Sequence, residues 1–100
     1  MMNNDLTLTT ANDNIFLDLG FDRAEATRLN IRADLMLDLQ QFIRSQSWTI
    51  EEAAHFFQET PFRINHLMTG EIDQFDIEQL ITLLEKAGME TKVEVTPKAA

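Results

Sequence analysis

Between Trp48 and Gly70 the chain carries two helix starts in quick succession, and no other feature restricts its fold as much. Thr49 is followed at the third helical position by Glu52, the spacing of a capping box, in which hydroxyl and carboxylate each satisfy an otherwise orphaned amide. A helix is therefore expected to begin there, with Ile50, Ala53, Ala54 and Phe57 on its inward face. After Gln58 and Glu59 comes Thr60-Pro61, a hydroxyl cap ahead of a proline at the first helical position, where a missing N–H costs nothing. The second helix runs to about Thr69, turns Ile64, Leu67 and Met68 inward, and stops at Gly70. The small Ala53 and Ala54 let a neighbouring helix approach closely. Two short helices joined by so tight a turn predict a helix-turn-helix over 48–70.

The flanking sequence supplies the rest of a helical bundle. Asp22 can cap a helix running from Arg23 toward Asn30, and from Ile31 to Ser45 the residues Leu35, Leu39, Phe42 and Ile43 recur at helical spacing with Met36 beside them. Leu37 falls on the opposite, polar face, either as a singly exposed leucine or as a contact to a second chain. Asp76 and Gln79 repeat the capping-box spacing, Phe75 can pack on Leu80 as a hydrophobic staple, and Ile77, Leu80, Ile81, Leu84 and Ala87 form the last buried stripe before Gly88. Beyond it Met89, Thr91, Val93 and Val95 alternate with charged residues, the period of a half-buried strand over 89–95 that Pro97 closes. Such a strand needs a partner, either the same strand of a second subunit or the apolar segment of Ile15, Phe16, Leu17 and Leu19. Residues 1–14, rich in Asn, Thr and Asp, read as a flexible N-terminal arm. The expected organisation is one domain over 15–96: all-α, about five helices, with a short C-terminal β-strand.

Composition narrows the function. The chain of 100 residues has no cysteine, so it offers neither a disulfide framework nor a cysteine nucleophile or metal site, in keeping with a cytoplasmic protein. It begins without a basic, apolar leader and contains no transmembrane run, so no membrane partner is expected. His55 and His66 lie on different helices, and no Gly-rich phosphate loop or catalytic triad spacing is present, so no metal, cofactor or enzymatic activity is expected. A formal net charge of -9 disfavours non-specific attraction to nucleic acid and suits a basic protein partner.

The order of elements resembles the Xre/Cro (lambda-repressor-like) family, and more narrowly its HigA-type antitoxin-like branch. The residues that carry the likeness are the segment NIFLDLGF with RAEATRLNIRADLM, then Thr49, Glu52, Ala53 and Ala54, then Arg63, Ile64, Leu67 and Gly70. The resemblance spans about residues 14 to 95. It implies a lambda-repressor-like helical domain that binds double-stranded DNA as a homodimer and represses transcription, often in company with an mRNA-cleaving toxin of the RelE class. The turn departs from the family's usual pattern. Gln58 stands where a glycine is common, Glu59 where an apolar residue is, and Thr69-Gly70-Glu71 where a lysine or an Asn-Gly-Lys-like end is, so two departures add negative charge near the expected phosphates.

With Ile64, Leu67 and Met68 turned inward, the outward arc of the second helix is centred on Phe62, His66 and Thr69, flanked by Arg63 and Asn65. Arg63 can pair with guanine, Asn65 with adenine, and the Phe62 ring can meet a thymine methyl. Thr60, with the free amides at its helix start, can instead meet a phosphate, and Thr49 holds the equivalent position on the first helix. Each has an ordinary structural role as well: Thr60 is first a cap, Phe62 a packing residue, and Arg63 a partner for Glu59. The dimer contacts expected from the pattern are Leu37, Met89, Thr91, Val93 and Val95. The alternative to a DNA-binding repressor is a protein-interaction module that keeps the fold but contacts DNA weakly or not at all.

Overall fold

Each predicted cap is made. In the computed structural model, which describes residues 15–97, Thr49 Oγ1 accepts the Glu52 amide at 3.1 Å while Glu52 Oε1 accepts the Thr49 amide at 2.8 Å. Asp76 and Gln79 form the second reciprocal box at 2.7 and 3.0 Å. Thr60 Oγ1 accepts the Arg63 amide at 3.1 Å, and Asp22 Oδ1 accepts the Glu25 amide at 2.8 Å. A cap of this kind stabilises a helix by about 1 kcal/mol. That is a large share of what an eight-residue helix can muster alone.

The caps delimit α1 (15–18), α2 (Arg23–Gln46), α3 (Ile50–Phe57), α4 (Pro61–Met68) and α5 (Ile77–Lys86), with one 3-10 turn at Ile72–Gln74. The predicted arm over 1–14 lies outside the described residues. Where the sequence pattern suggested two helices over Arg23–Asn30 and Ile31–Ser45, α2 is continuous. No Gly or Pro interrupts it, and Ala26 and Asn30 are buried on the way. It ends at Ser47, whose φ of 59° reverses the chain.

α2 is the spine against which the other elements pack. Its Met36, Leu39 and Ile43 meet Ala53, Ala54 and Phe57 of α3, Ile64 and Leu67 of α4, and Leu80, Leu83 and Leu84 of α5 in one core. Phe57, Leu39, Leu67 and Leu80 are wholly removed from solvent. Truncating a buried aromatic such as Phe57 typically costs about 3–5 kcal/mol, so this core, rather than the caps, determines whether the helices persist. Phe75 is buried as the staple requires. Leu37 is half-buried instead of exposed on a polar face, because the 3-10 turn brings Ile72 and Gly70 beside it.

The C-terminal strand is not formed. Residues 89–97 form no strand among the described residues; Met89 donates its amide to the Leu84 carbonyl at 3.0 Å and folds onto the core, while Val93 and Val95 stand 72% and 87% exposed. Period-two alternation describes a face but supplies no hydrogen-bonding neighbour, and all the elements within reach are helices whose backbone groups are already used. The N-terminal apolar segment does not serve as that neighbour either: it makes a single helical turn, with Ile15 and Leu19 exposed.

The turn of the helix-turn-helix is strained at one position. Gln58 closes α3 with φ 59° and ψ 43°, a left-handed conformation that costs a residue bearing a Cβ about 1–2 kcal/mol relative to glycine. Part of that is offset by the greater unfolded-state freedom of glycine. Gln58→Gly is expected to raise stability by about 0.5–1 kcal/mol, and Gln58→Val to lower it. Thermal denaturation of the three proteins checks the order.

Candidate nucleic-acid interface

α4 is held by its two ends and one flank, which leaves one arc facing solvent. The hydroxyl of Thr60 starts it, Ile64 and Leu67 bury its inner side, and the Oγ1 of Thr69 donates to the Asn65 carbonyl at 2.9 Å at its end. Phe62, 71% exposed, meets the His66 ring edge-on with centroids 4.4 Å apart. Asn65 is exposed beside them, and its carboxamide makes no hydrogen bond to another described residue. An unencumbered carboxamide on a helix can offer the donor and acceptor pair that matches the major-groove edge of adenine. Phe62, Asn65 and His66 are thus brought together on the outward face, and Thr69 sits at its edge with its hydroxyl committed to the backbone.

Thr49 and Thr60 stand at the N-termini of α3 and α4, where the first amides of a helix point outward. Both use the hydroxyl oxygen as an acceptor within the cap. The hydroxyl proton of each stays available to a phosphate oxygen, alongside the amides at the same helix end.

Arg63 makes the Glu59 pair that was the structural alternative to base contact, together with two contacts that its spacing did not foretell. Its guanidinium donates through Nη1 to the Gln74 carbonyl at 2.8 Å, lies over the Phe75 ring at 4.2 Å, and approaches Glu59 at 3.6 Å. These contacts tie α4 to the segment that leads into α5, and they turn the charge away from the outward arc. Arg63 is also the one Lys or Arg between Trp48 and Gly70, where Glu51, Glu52 and Glu59 are found. The face is therefore weakly supplied with the fixed cations that normally neutralise phosphates.

Two positioning residues have no signature in the sequence. Gln40 of α2 donates through Nε2 to the Leu67 carbonyl at 2.8 Å, and Lys86 of α5 donates through Nζ to the Phe57 carbonyl at 2.9 Å. Each reaches a carbonyl in the last turn of a helix-turn-helix helix: the Leu67 carbonyl also accepts the Gly70 amide at 3.2 Å, and Lys86 supplies a donor to the Phe57 carbonyl. A lysine there also complements the helix dipole. From sequence Lys86 reads as a last-turn cation of its own helix, and Gln40 as an ordinary polar position. Among the described residues no group of three or more His, Asp or Glu side chains is arranged to hold a metal ion.

The profile of a helix-turn-helix domain family matches residues 15–96, and the chain belongs to that family. Its membership suggests a DNA-binding regulator in general terms. No curated protein and no solved structure matches the chain significantly.

The different settings of Arg63 and Asn65 separate their roles. Arg63→Ala should lower stability by about 1–2 kcal/mol through the lost charged hydrogen bond and ring contact, whereas Asn65→Ala should stay within about 0.5 kcal/mol of the parent. Urea denaturation of the two variants makes the comparison.

Proposed function

We propose that the protein is a sequence-specific, DNA-binding transcriptional repressor that lays α4 in the major groove. Asn65 is its principal base reader, Phe62 and His66 contact base edges beside it, and Thr49 and Thr60 meet phosphates. The observation that carries this reading is the outward arc of α4, where an unengaged carboxamide and an exposed ring follow a capped helix N-terminus. The protein acts as a cytoplasmic binder without catalytic activity. Its likeness to the Xre/Cro family, in the HigA-type branch, supports an antitoxin that represses its own promoter and holds a basic toxin.

The repressor works as a homodimer whose two α4 helices enter successive major grooves about 34–36 Å apart, on a pseudo-palindromic site. Exposed Val93 and Val95 support a second copy pairing through 89–95, which supplies the backbone neighbour that the single chain lacks. A chain ending at Gly88 should then sediment as a monomer while the full chain sediments as a dimer. A truncated protein that stays dimeric would move the interface elsewhere.

A fluorescence titration against labelled DNA from upstream of the gene, with scrambled DNA as control and at two salt concentrations, tests the function. Preference for the native sequence is expected, and it should shrink in Asn65→Ala. Each phosphate neutralised by a fixed cation contributes about 0.9 to the fall of log K with log salt. With the Arg63 guanidinium engaged by Gln74, Phe75 and Glu59, and no other Lys or Arg on α3 or α4, that fall should be shallow.

A second reading, a protein-interaction module with weak or no DNA contact, is favoured by that shortage of cations on α3 and α4 and by the net charge of -9. Absence of sequence preference at low salt would select it.

A further inference from the structure

The outer face of α3 carries a groove that the DNA-reading role of α4 leaves unused. Its floor is aromatic: the Trp48 and Phe56 rings lie 4.7 Å apart at 38°, and both rest on Phe42, with centroids at 5.8 and 6.1 Å. Phe42 leans in turn on the buried Phe57, so the core fixes the floor in place. Glu51, Glu52 and His55 complete the lining of a groove of about 420 Å³. One oxygen of Glu52 is committed to the Thr49 amide. Glu51 is exposed and makes no hydrogen bond or ion pair to another described residue.

Aromatic surface left in water beside free carboxylates has a specific complement. Inside the groove, phosphate groups and anionic lipid headgroups are repelled by Glu51 and Glu52, and an aliphatic side chain alone would leave the Glu51 carboxylate without a partner. A guanidinium satisfies both features: it stacks on the Trp48 face, pairs in its own plane with a carboxylate, and lays its methylene stem along Phe56. We propose that this groove docks an arginine-bearing, amphipathic segment of a basic protein, with the arginine between Trp48 and Glu51 and a neighbouring apolar side chain on Phe56.

Trp48 is the single tryptophan of the chain, so its fluorescence reports occupancy directly, and no DNA is needed. The full chain is titrated at about 0.15 M salt, where long-range charge effects are largely screened, with a synthetic peptide of alternating Arg and Leu pairs. The same peptide with Glu in place of Arg is the control. A saturable Trp48 response to the arginine peptide is expected, with affinity at least about tenfold above that of the control. Glu51→Lys should weaken binding about tenfold and Glu51→Gln less, while Asp18→Lys, an equal change of net charge on exposed α1, should leave it within about twofold. Circular dichroism establishes that the variants are folded. Equal losses in Glu51→Lys and Asp18→Lys, or equal binding of the two peptides, would overturn the proposal. So would a Trp48 response to duplex DNA alone that Glu51→Lys strengthens, which would assign the groove to nucleic acid. Because the titration contains only protein and peptide, its failure is separate from any failure of operator binding.

Discussion

The helix-turn-helix is fixed by two side-chain bonds that reach the last turns of its helices from outside them. α3 and α4 are each eight residues long, so in both of them half of the backbone acceptors sit in the last turn and lack intrahelical donors. Gln40 reaches the Leu67 carbonyl from α2, and Lys86 reaches the Phe57 carbonyl from α5. These bonds join the recognition pair to the two helices that hold most of the core. Buried polar groups left unpaired cost roughly 1–3 kcal/mol each, comparable to the whole contribution of a cap. The bundle around α2 thus positions the outward arc of α4 through satisfied backbone as well as through packed side chains.

The same economy of donors shapes the electrostatics. Arg63, the one Lys or Arg on α3 and α4, and Lys86 of α5 are both used to hold helices together. A regulator built this way relies on base-edge contacts and on helix N-termini more than on fixed positive charge. That arrangement lowers non-specific affinity for the phosphate backbone, which carries no sequence information. The acidic balance of the chain is thus compatible with the proposed recognition of DNA by α4, and under the second proposal the carboxylates of α3 would serve a different kind of partner.

The capping pairs Thr49/Glu52, Thr60/Pro61 and Asp76/Gln79 could be read from sequence because each acts within one turn of helix, where spacing alone brings the partners together. The inward stripes of α3, α4 and α5 were legible for the same reason, whereas Gln58 stood out only as a departure from the glycine usual in the family it resembles. Asn65 and Phe62 could be placed on the outward face by helical period. Arg63 could not be assigned, since its choice among Gln74, Phe75 and solvent depends on where the chain returns after Gly70. The strand expected over 89–95 is not formed in the single chain for a related reason: alternation describes a face, but a strand exists only when another backbone lies alongside.

What the amino-acid sequence determined by itself was the number and order of the helices around the turn, the faces they bury and the residues α4 presents outward. All of these follow from interactions between residues three or four apart. The tertiary structure alone decided that α2 runs unbroken past Asn30, that Gln40 and Lys86 anchor the recognition pair, and that Arg63 is turned inward. It likewise left the C-terminal segment without a strand partner. Each of these outcomes rests on contacts between residues distant in the chain, whose free energies are comparable to the local ones but whose partners are chosen only when the core closes.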